Sequence, residues 1–193
     1  MQARPAKRML AVVSVAWVLT LAASAAAQPA ATTRDARLYD AATAAQPAVI
    51  ATLKELVLME SGSGNLAGLR RVAEYADARL KALGASTERI KASDSDRLLI
   101  KGTLTGTGTL RVLLIAHLDT VYPEGILATQ PLRQDGNKLY GPGIADDKGG
   151  VAVILHSLAL LKELGWHDYA QITVLFNPDE EIGSRGSGEL IAA

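Results

Sequence analysis

The chain has no cysteine among its 193 residues. That excludes disulfides, a cysteine nucleophile and thiolate metal ligands, so any metal must be held by nitrogen and oxygen. Aromatic residues make up only 4%, and the formal charges cancel. Without a basic block, and without aromatics interleaved among lysines and arginines, nucleic-acid binding has no support. No internal repeat is visible. The most apolar stretch, Met9 to Leu21, is broken by Ser14 and Thr20 and spans 13 residues. This is short of the ~20 needed to cross a bilayer.

That stretch has a different use. Arg4, Lys7 and Arg8 precede it, and Ala25-Ala26-Ala27 follows it. A basic opening, a short apolar core and small residues at a cleavage point make a secretory signal peptide, with residues 1–27 removed after Ala27. An uncleaved anchor is the alternative, and the apolar core is short for one. Residues 28–193 are then expected outside the cytoplasm, periplasmic or secreted, with no stable membrane span after cleavage. Their length suits roughly one domain. With 49% hydrophobic and 21% charged residues overall, the composition is that of a globular protein.

Thr32 to Ser61 reads as helix, with Leu38, Val49, Ile50, Leu53, Leu56 and Val57 on one face and Pro47 as a break or new start. Ser61-Gly-Ser-Gly-Asn65 reads as a turn-rich linker in which Ser63 or Asn65 caps the next helix. No lysine follows it and no strand precedes it, so a phosphate-cradling loop is disfavoured. Leu66 to Leu83 has helical apolar spacing and ends at Gly84. Strands are expected at 87–91, 97–103 and 109–116, the last two joined as a hairpin through Gly106-Thr-Gly108. Val121 to Lys138 reads as a long irregular loop, of the kind that carries function. Val151 to Leu164 is a strong apolar helix, Ile172–Phe176 a buried strand, and Glu189–Ala193 the start of a helix. The alternation implies an α/β sandwich.

Polar clusters follow the strands. Val112 to Ala116 is an unbroken branched apolar run, read as a strand buried on both faces. His117 and Asp119 come at its end, two apart and so on one face of extended chain. Asp146 and Asp147 precede a helix, and Asp179, Glu180 and Glu181 follow the next strand. Sites in open α/β sheets lie beyond the carboxyl ends of strands. Carboxylates gathered there repel one another unless a cation lies between them. Imidazole plus carboxylates without thiol suits zinc or a similar divalent ion at a hydrolytic site. Of the adjacent Glu180 and Glu181, one is free to bind metal while the other takes a proton from water. Each cluster also has an ordinary explanation: a solvated strand end, a helix cap at Asp146-Asp147, a solvated Asp-Glu-Glu turn. His156, in mid-helix, reads as packing, and His167 as a surface turn.

The segments His117-Leu-Asp-Thr120, Gly141-Pro-Gly-Ile-Ala-Asp-Asp-Lys-Gly149 and Asp179-Glu-Glu-Ile-Gly183 resemble the motifs of the M20 metallopeptidases, and within them the glutamate carboxypeptidase group. Val121-Tyr-Pro-Glu-Gly-Ile-Leu127 and Ile172-Thr-Val-Leu-Phe-Asn177 resemble the same group. The resemblance implies a mixed-sheet zinc-exopeptidase sandwich of the phosphorylase/hydrolase-like kind. It implies two zinc ions, with His117 on one, Glu181 on the other and Asp146 bridging them. Glu180 would be the general base that passes a proton to the leaving amine. Asp119 would orient His117 without touching metal, and a cis peptide would join Asp146 to Asp147. The implied substrate is a peptide, or an N-acyl or folate-like conjugate, that loses a C-terminal glutamate.

The resemblance departs at the end of the chain. M20 enzymes are about twice this length, and one further ligand for each zinc lies in their second half, as do the lid and dimerisation domain. Neither His156 nor His167 can replace those ligands by position. The expectation is therefore an incomplete catalytic domain over 28–193, inactive by itself, from a parent that is a homodimer. A related amidohydrolase, such as an aminoacylase or deacetylase, and a non-catalytic truncated product are the alternatives.

Overall fold

The computed structural model describes residues 35–192. The expected signal peptide at 1–27 lies outside the described residues. Helix α1 spans Ala36–Leu58, with Asp35 accepting from the Leu38 N–H as its cap. It runs through Pro47 without breaking, contrary to the expected interruption. Proline removes one N–H from the ladder, but Pro47 and Thr43, whose carbonyl loses its partner, are exposed, so water can satisfy the freed carbonyl. Leu56 and Val57 are buried and Val49 and Leu53 pack on the core, whereas Leu38 and Ile50 are exposed. The apolar face of α1 is thus narrower than the sequence suggested.

Helix α2 (Leu66–Leu83) starts at Asn65, whose side chain accepts from the Gly68 N–H, and stops at Gly84 in the left-handed region with φ 96°. Strands β1 (Ser86–Lys91) and β2 (Leu98–Thr105) form an antiparallel pair. Strand β3 is Arg111–His117. The loop after it is not wholly irregular. It contains a 3₁₀ turn at Ile126–Ala128 and a small hairpin of β4 (Arg133–Asp135) and β5 (Lys138–Tyr140). Gly136, with φ 56°, supplies the positive φ that such a two-residue turn needs. The chain continues through Ile144–Lys148 to α3 (Gly149–Glu163), β6 (Gln171–Asn177) and the short α4 (Gly188–Ala192).

The fold is α/β, with a mixed four-stranded sheet in the order β1-β2-β6-β3. The expected hairpin between β2 and β3 does not form. Strand β6 lies between them, antiparallel to β2 and parallel to β3. Gly106 and Gly108 serve instead at a tight crossing, because a Cβ on either would overlap the 167–169 segment. The parallel pairing sets His117 opposite Asn177. Both strands therefore release their polar sequences at the same end of the sheet.

Helices α1, α2 and α3 bury one apolar face of the sheet. Leu56, Leu80, Ile100, Leu155, Val174 and Phe176 are fully buried in one core cluster. The reading of β3 as buried on both faces is overturned: Leu113 and Ile115 are 52% and 46% exposed. Strand β3 lies at one end of the sheet order, and the helical layer covers only the side reached by Val112, Leu114 and Ala116.

One buried ionic group ties α2 to β1. The Asp77 side chain is 1% exposed. It accepts from Thr87 Oγ1 at 2.6 Å, Arg89 Nε at 2.8 Å and Lys81 Nζ at 3.0 Å. Burial pushes its carboxyl upward, but the hydrogen bonds from Thr87, Lys81 and Arg89 outweigh that and hold it at about 2. The unfolded carboxyl titrates near 3.9, so this stabilisation is full above that value and disappears as pH falls through about 2. Its size is at most about 3 kcal/mol. Urea unfolding is expected to show Asp77→Asn less stable than wild type by that order at pH 6. The gap should close at the lowest pH at which both still fold.

Candidate metal centre

Three separate chain segments meet at the end of β3 and β6. The first is the exit of β3. Leu118 donates its N–H to the Asn177 carbonyl at 2.7 Å, which extends the strand pairing one step and aims His117 and Asp119 at the site. The second is the loop of Ile144–Lys148, entered through Gly143 with φ 65°. A Cβ on Gly143 would overlap the Thr120 side chain, so glycine permits the loop to close on the β3 exit. The Asp146–Asp147 peptide is cis, as the resemblance implied. The third is the 3₁₀ turn Glu180–Ile182 that follows β6.

These segments bring together His117, Asp146 and Glu181, with one ligand atom from each lying within 4.8 Å of the other two. His117 is buried, Asp146 is exposed and Glu181 is intermediate. His117 Nε2 lies 2.8 Å from Asp146 Oδ1 and 3.9 Å from Glu180 Oε2. Its other nitrogen, Nδ1, lies 3.3 Å from Asp119 Oδ1 and 3.0 Å from the Asp119 carbonyl. Burial alone would pull the imidazole down, but hydrogen bonds to Asp119 and Asp146 prevail and raise it to about 9. A metal cation placed between these carboxylates would compete with a proton for the imidazole. The Glu181 carboxyl is raised, first by burial and then by the charge of Asp146.

Asp119 is fully buried. Besides His117, its carboxylate accepts from the Glu180 N–H at 3.0 Å, the Glu181 N–H at 3.1 Å and Ser63 Oγ at 2.7 Å. Burial pushes this carboxyl up, and the bonds from His117, Ser63 and the Glu181 amide bring it below its ordinary value. One side chain thus holds the imidazole and the backbone of both glutamates.

The adjacent aspartates divide their tasks. Asp146 faces the His117 ring, while Asp147 accepts from the Gly150 N–H at 3.0 Å at the start of α3 and from the His117 backbone N–H at 3.4 Å. The helix-cap explanation therefore holds for Asp147. The solvated-turn explanation fails for Asp179, which is fully buried and accepts from the Gly186 N–H at 2.7 Å and from the Ser187 hydroxyl. His156 bonds Thr52 Oγ1 at 2.9 Å between α3 and α1, and His167 is exposed; both lie away from the cluster.

Sequence reasoning missed four supporting residues. Ser61 and Ser63 are 1% and 9% exposed, so their segment is not the linker it resembled. Asn65 alone caps α2, because Ser63 turns to Asp119. Lys148 is 2% exposed and donates to Ser61 Oγ at 2.8 Å and the Met59 carbonyl at 2.9 Å. Burial brings its ammonium down to about 8. It joins the Asp146 loop to the end of α1. Its signal in sequence was a lysine directly after two aspartates, inside a glycine-bounded segment. Glu60, the fourth, accepts from the Gly125 and Leu127 N–H groups at 2.7 and 2.9 Å and so anchors the long loop.

The profile of peptidase family M20/M25/M40 matches residues 113–193. Carboxypeptidase G2 from Pseudomonas sp. (strain RS-16) is 48% identical over 191 residues, covering 97% of this chain and 45% of that protein. Acetylornithine deacetylase from Myxococcus xanthus is 35% identical over 158 residues, covering 76% of this chain and 39% of that protein. Among solved structures, human carnosine dipeptidase 1 shares the fold with a TM-score of 0.71 at 24% identity, over 80% of this chain and 37% of that one. The chain spans less than half the length of each of these proteins.

Proposed function

Because the chain belongs to peptidase family M20/M25/M40, we propose that it is the N-terminal part of the catalytic domain of a zinc-dependent exopeptidase. That enzyme removes a C-terminal residue, glutamate by preference, by amide hydrolysis. The observation that carries this is the convergence of His117, Asp146 and Glu181 from three separate loops. One imidazole nitrogen and two carboxylate oxygens, with no thiol in the chain, form a donor set that zinc accepts. The carboxylate of Asp119 behind Nδ1 fixes which nitrogen of His117 faces the ion. Zinc, when bound, supplies Lewis acidity and makes water easier to deprotonate.

The chain's own residues supply the proton chemistry. The Glu180 side chain is 55% exposed and its Oε2 lies 3.9 Å from His117 Nε2, beside the ligands but open to water. Glu180 takes a proton from that water and delivers it to the leaving amine. Asp119 holds the Glu180 and Glu181 amides, so the base and the ligand next to it stay in register. Asp146 would also serve a second ion, together with ligands from the rest of the complete enzyme. On this account the 193 residues alone turn over little substrate, and the complete enzyme is an exported homodimer. The exposed Leu113 and Ile115 on β3 support an incomplete domain.

The glutamate preference rests on the motif resemblance and on the identity to a carboxypeptidase. A deacylase acting on N-acyl amino acids is the second reading, favoured by the 35% identity to a deacetylase. Zinc-loaded protein carrying the full ligand set is expected to release glutamate from peptide or folate-like conjugates faster than it cleaves N-acetyl amino acids. The reverse order would select the second reading.

A further inference from the structure

The Ser61-Gly-Ser63 segment lies alongside the residues that leave β3. Gly62 bridges Thr120 in parallel pairing, Ser63 N donates to the Thr120 carbonyl at 3.1 Å, and Thr120 N donates to the Ser61 carbonyl at 3.0 Å. Ser61 Oγ donates to the Leu118 carbonyl at 2.7 Å. Glycine is required between the serines, since a Cβ on Gly62 would overlap the Tyr122 carbonyl. Arg97 Nε donates to the Ser63 carbonyl at 3.0 Å. The backbone of Ser63 is therefore fixed at both its N–H and its carbonyl. Its hydroxyl meets Asp119 Oδ2 at 2.7 Å.

We propose that Ser63 is a positioning residue, whose hydroxyl fixes the Asp119 carboxylate and, through it, the Glu180–Glu181 turn and the His117 ring. The two oxygens of Asp119 have distinct duties. Oδ1 takes the Glu180 N–H and faces His117 Nδ1; Oδ2 takes the Glu181 N–H and the Ser63 hydroxyl. Both N–H groups and the ring belong to the elements being positioned. Ser63 is the donor that comes from outside them, on a segment pinned independently to the β3 exit. Without its hydroxyl, Oδ2 keeps only the Glu181 N–H, and the carboxylate can turn, taking both amides with it. The role toward metal rests on the function proposed above; the role toward the turn does not.

The test compares Ser63→Ala and Ser63→Thr with wild type, and with Asp77→Asn as a variant destabilised far from the site. Two quantities are read: amide hydrogen exchange at Glu180 and Glu181 in metal-free protein, and zinc affinity by chelator competition. Ser63→Ala is expected to speed exchange at both amides ~10-fold, as a local opening would. It should also weaken zinc by ~10-fold, the lower end for loss of a group supporting a ligand. Ser63→Thr, which keeps the hydroxyl, should restore both, and Asp77→Asn should change neither despite a lower Tm. Wild-type exchange in Ser63→Ala, or a threonine variant as loose as the alanine one, overturns the proposal. If wild type binds no zinc while Ser63→Ala still loosens the two amides, the metal reading falls and the positioning role stands.

Discussion

In the complete enzyme, Glu180→Gln is expected to reduce turnover by ~10²–10⁴-fold, the usual contribution of a positioned general base, while bound zinc remains. Glutamine has nearly the shape of glutamate but cannot accept the proton. The Glu180 N–H that anchors the residue to Asp119 is backbone and survives the change. Glu180 lies outside the group formed by His117, Asp146 and Glu181, so its loss removes no ligand. KM should therefore change little and kcat should fall, the pattern of a group needed only in the transition state. The measurement is steady-state kinetics with zinc content determined on the same sample. Loss of zinc in step with activity would make Glu180 a ligand.

Asp119→Asn should disable the site more broadly, because of the number of donors aimed at that carboxylate. Four groups point at its two oxygens: the Glu180 and Glu181 amides, the Ser63 hydroxyl and His117 Nδ1. An asparagine offers one oxygen and one NH₂. The serine hydroxyl can reverse its role and accept, but neither backbone amide can. Whichever way the asparagine is turned, a part-buried backbone N–H faces an NH₂. Leaving such a group unsatisfied costs about 1–3 kcal/mol. The imidazole also loses the charge that orients it, for which a 10–100-fold loss of metal affinity is usual. Denaturant unfolding of the metal-free protein reads the first effect and chelator competition the second. A variant with wild-type stability and zinc affinity would remove Asp119 from its central place.

The ligand-type residues were legible because each stands at a strand end or loop where its chemistry has no packing explanation. His117 and Asp119 close an apolar run, and Glu180 and Glu181 follow another. Helix ends were legible for a similar reason, since Asn65 and Gly84 are local signals that act within a few residues. The strand order was not. The Gly106–Gly108 turn suggests a hairpin, and only the competition between β2 and β6 for pairing partners, some 70 residues apart, decides otherwise. The exposure of Leu113 and Ile115 is hidden in the same way, because an apolar run does not say how many of its faces are covered.

The supporting residues were the least visible. Ser63 and Lys148 lie in segments rich in glycine and polar residues, which read as loops. Their burial depends on two such segments closing on each other, through Lys148 with Ser61 and Ser63 with Asp119. Pro47 misled in the opposite direction. A breaker signal was overridden because its carbonyl partner faces solvent and the residues of α1 that pack on the core all follow it.

The measurement that tests the account most directly is zinc retention in Glu181→Gln set beside Glu180→Gln, each against wild type under the same chelator. Glu181 belongs to the converging ligand group and Glu180 does not, though they are adjacent and share the anchor of Asp119. The account predicts that Glu181→Gln loses zinc while Glu180→Gln keeps it. Equal retention in the two variants, or loss from Glu180→Gln alone, would contradict a metal centre built on His117, Asp146 and Glu181.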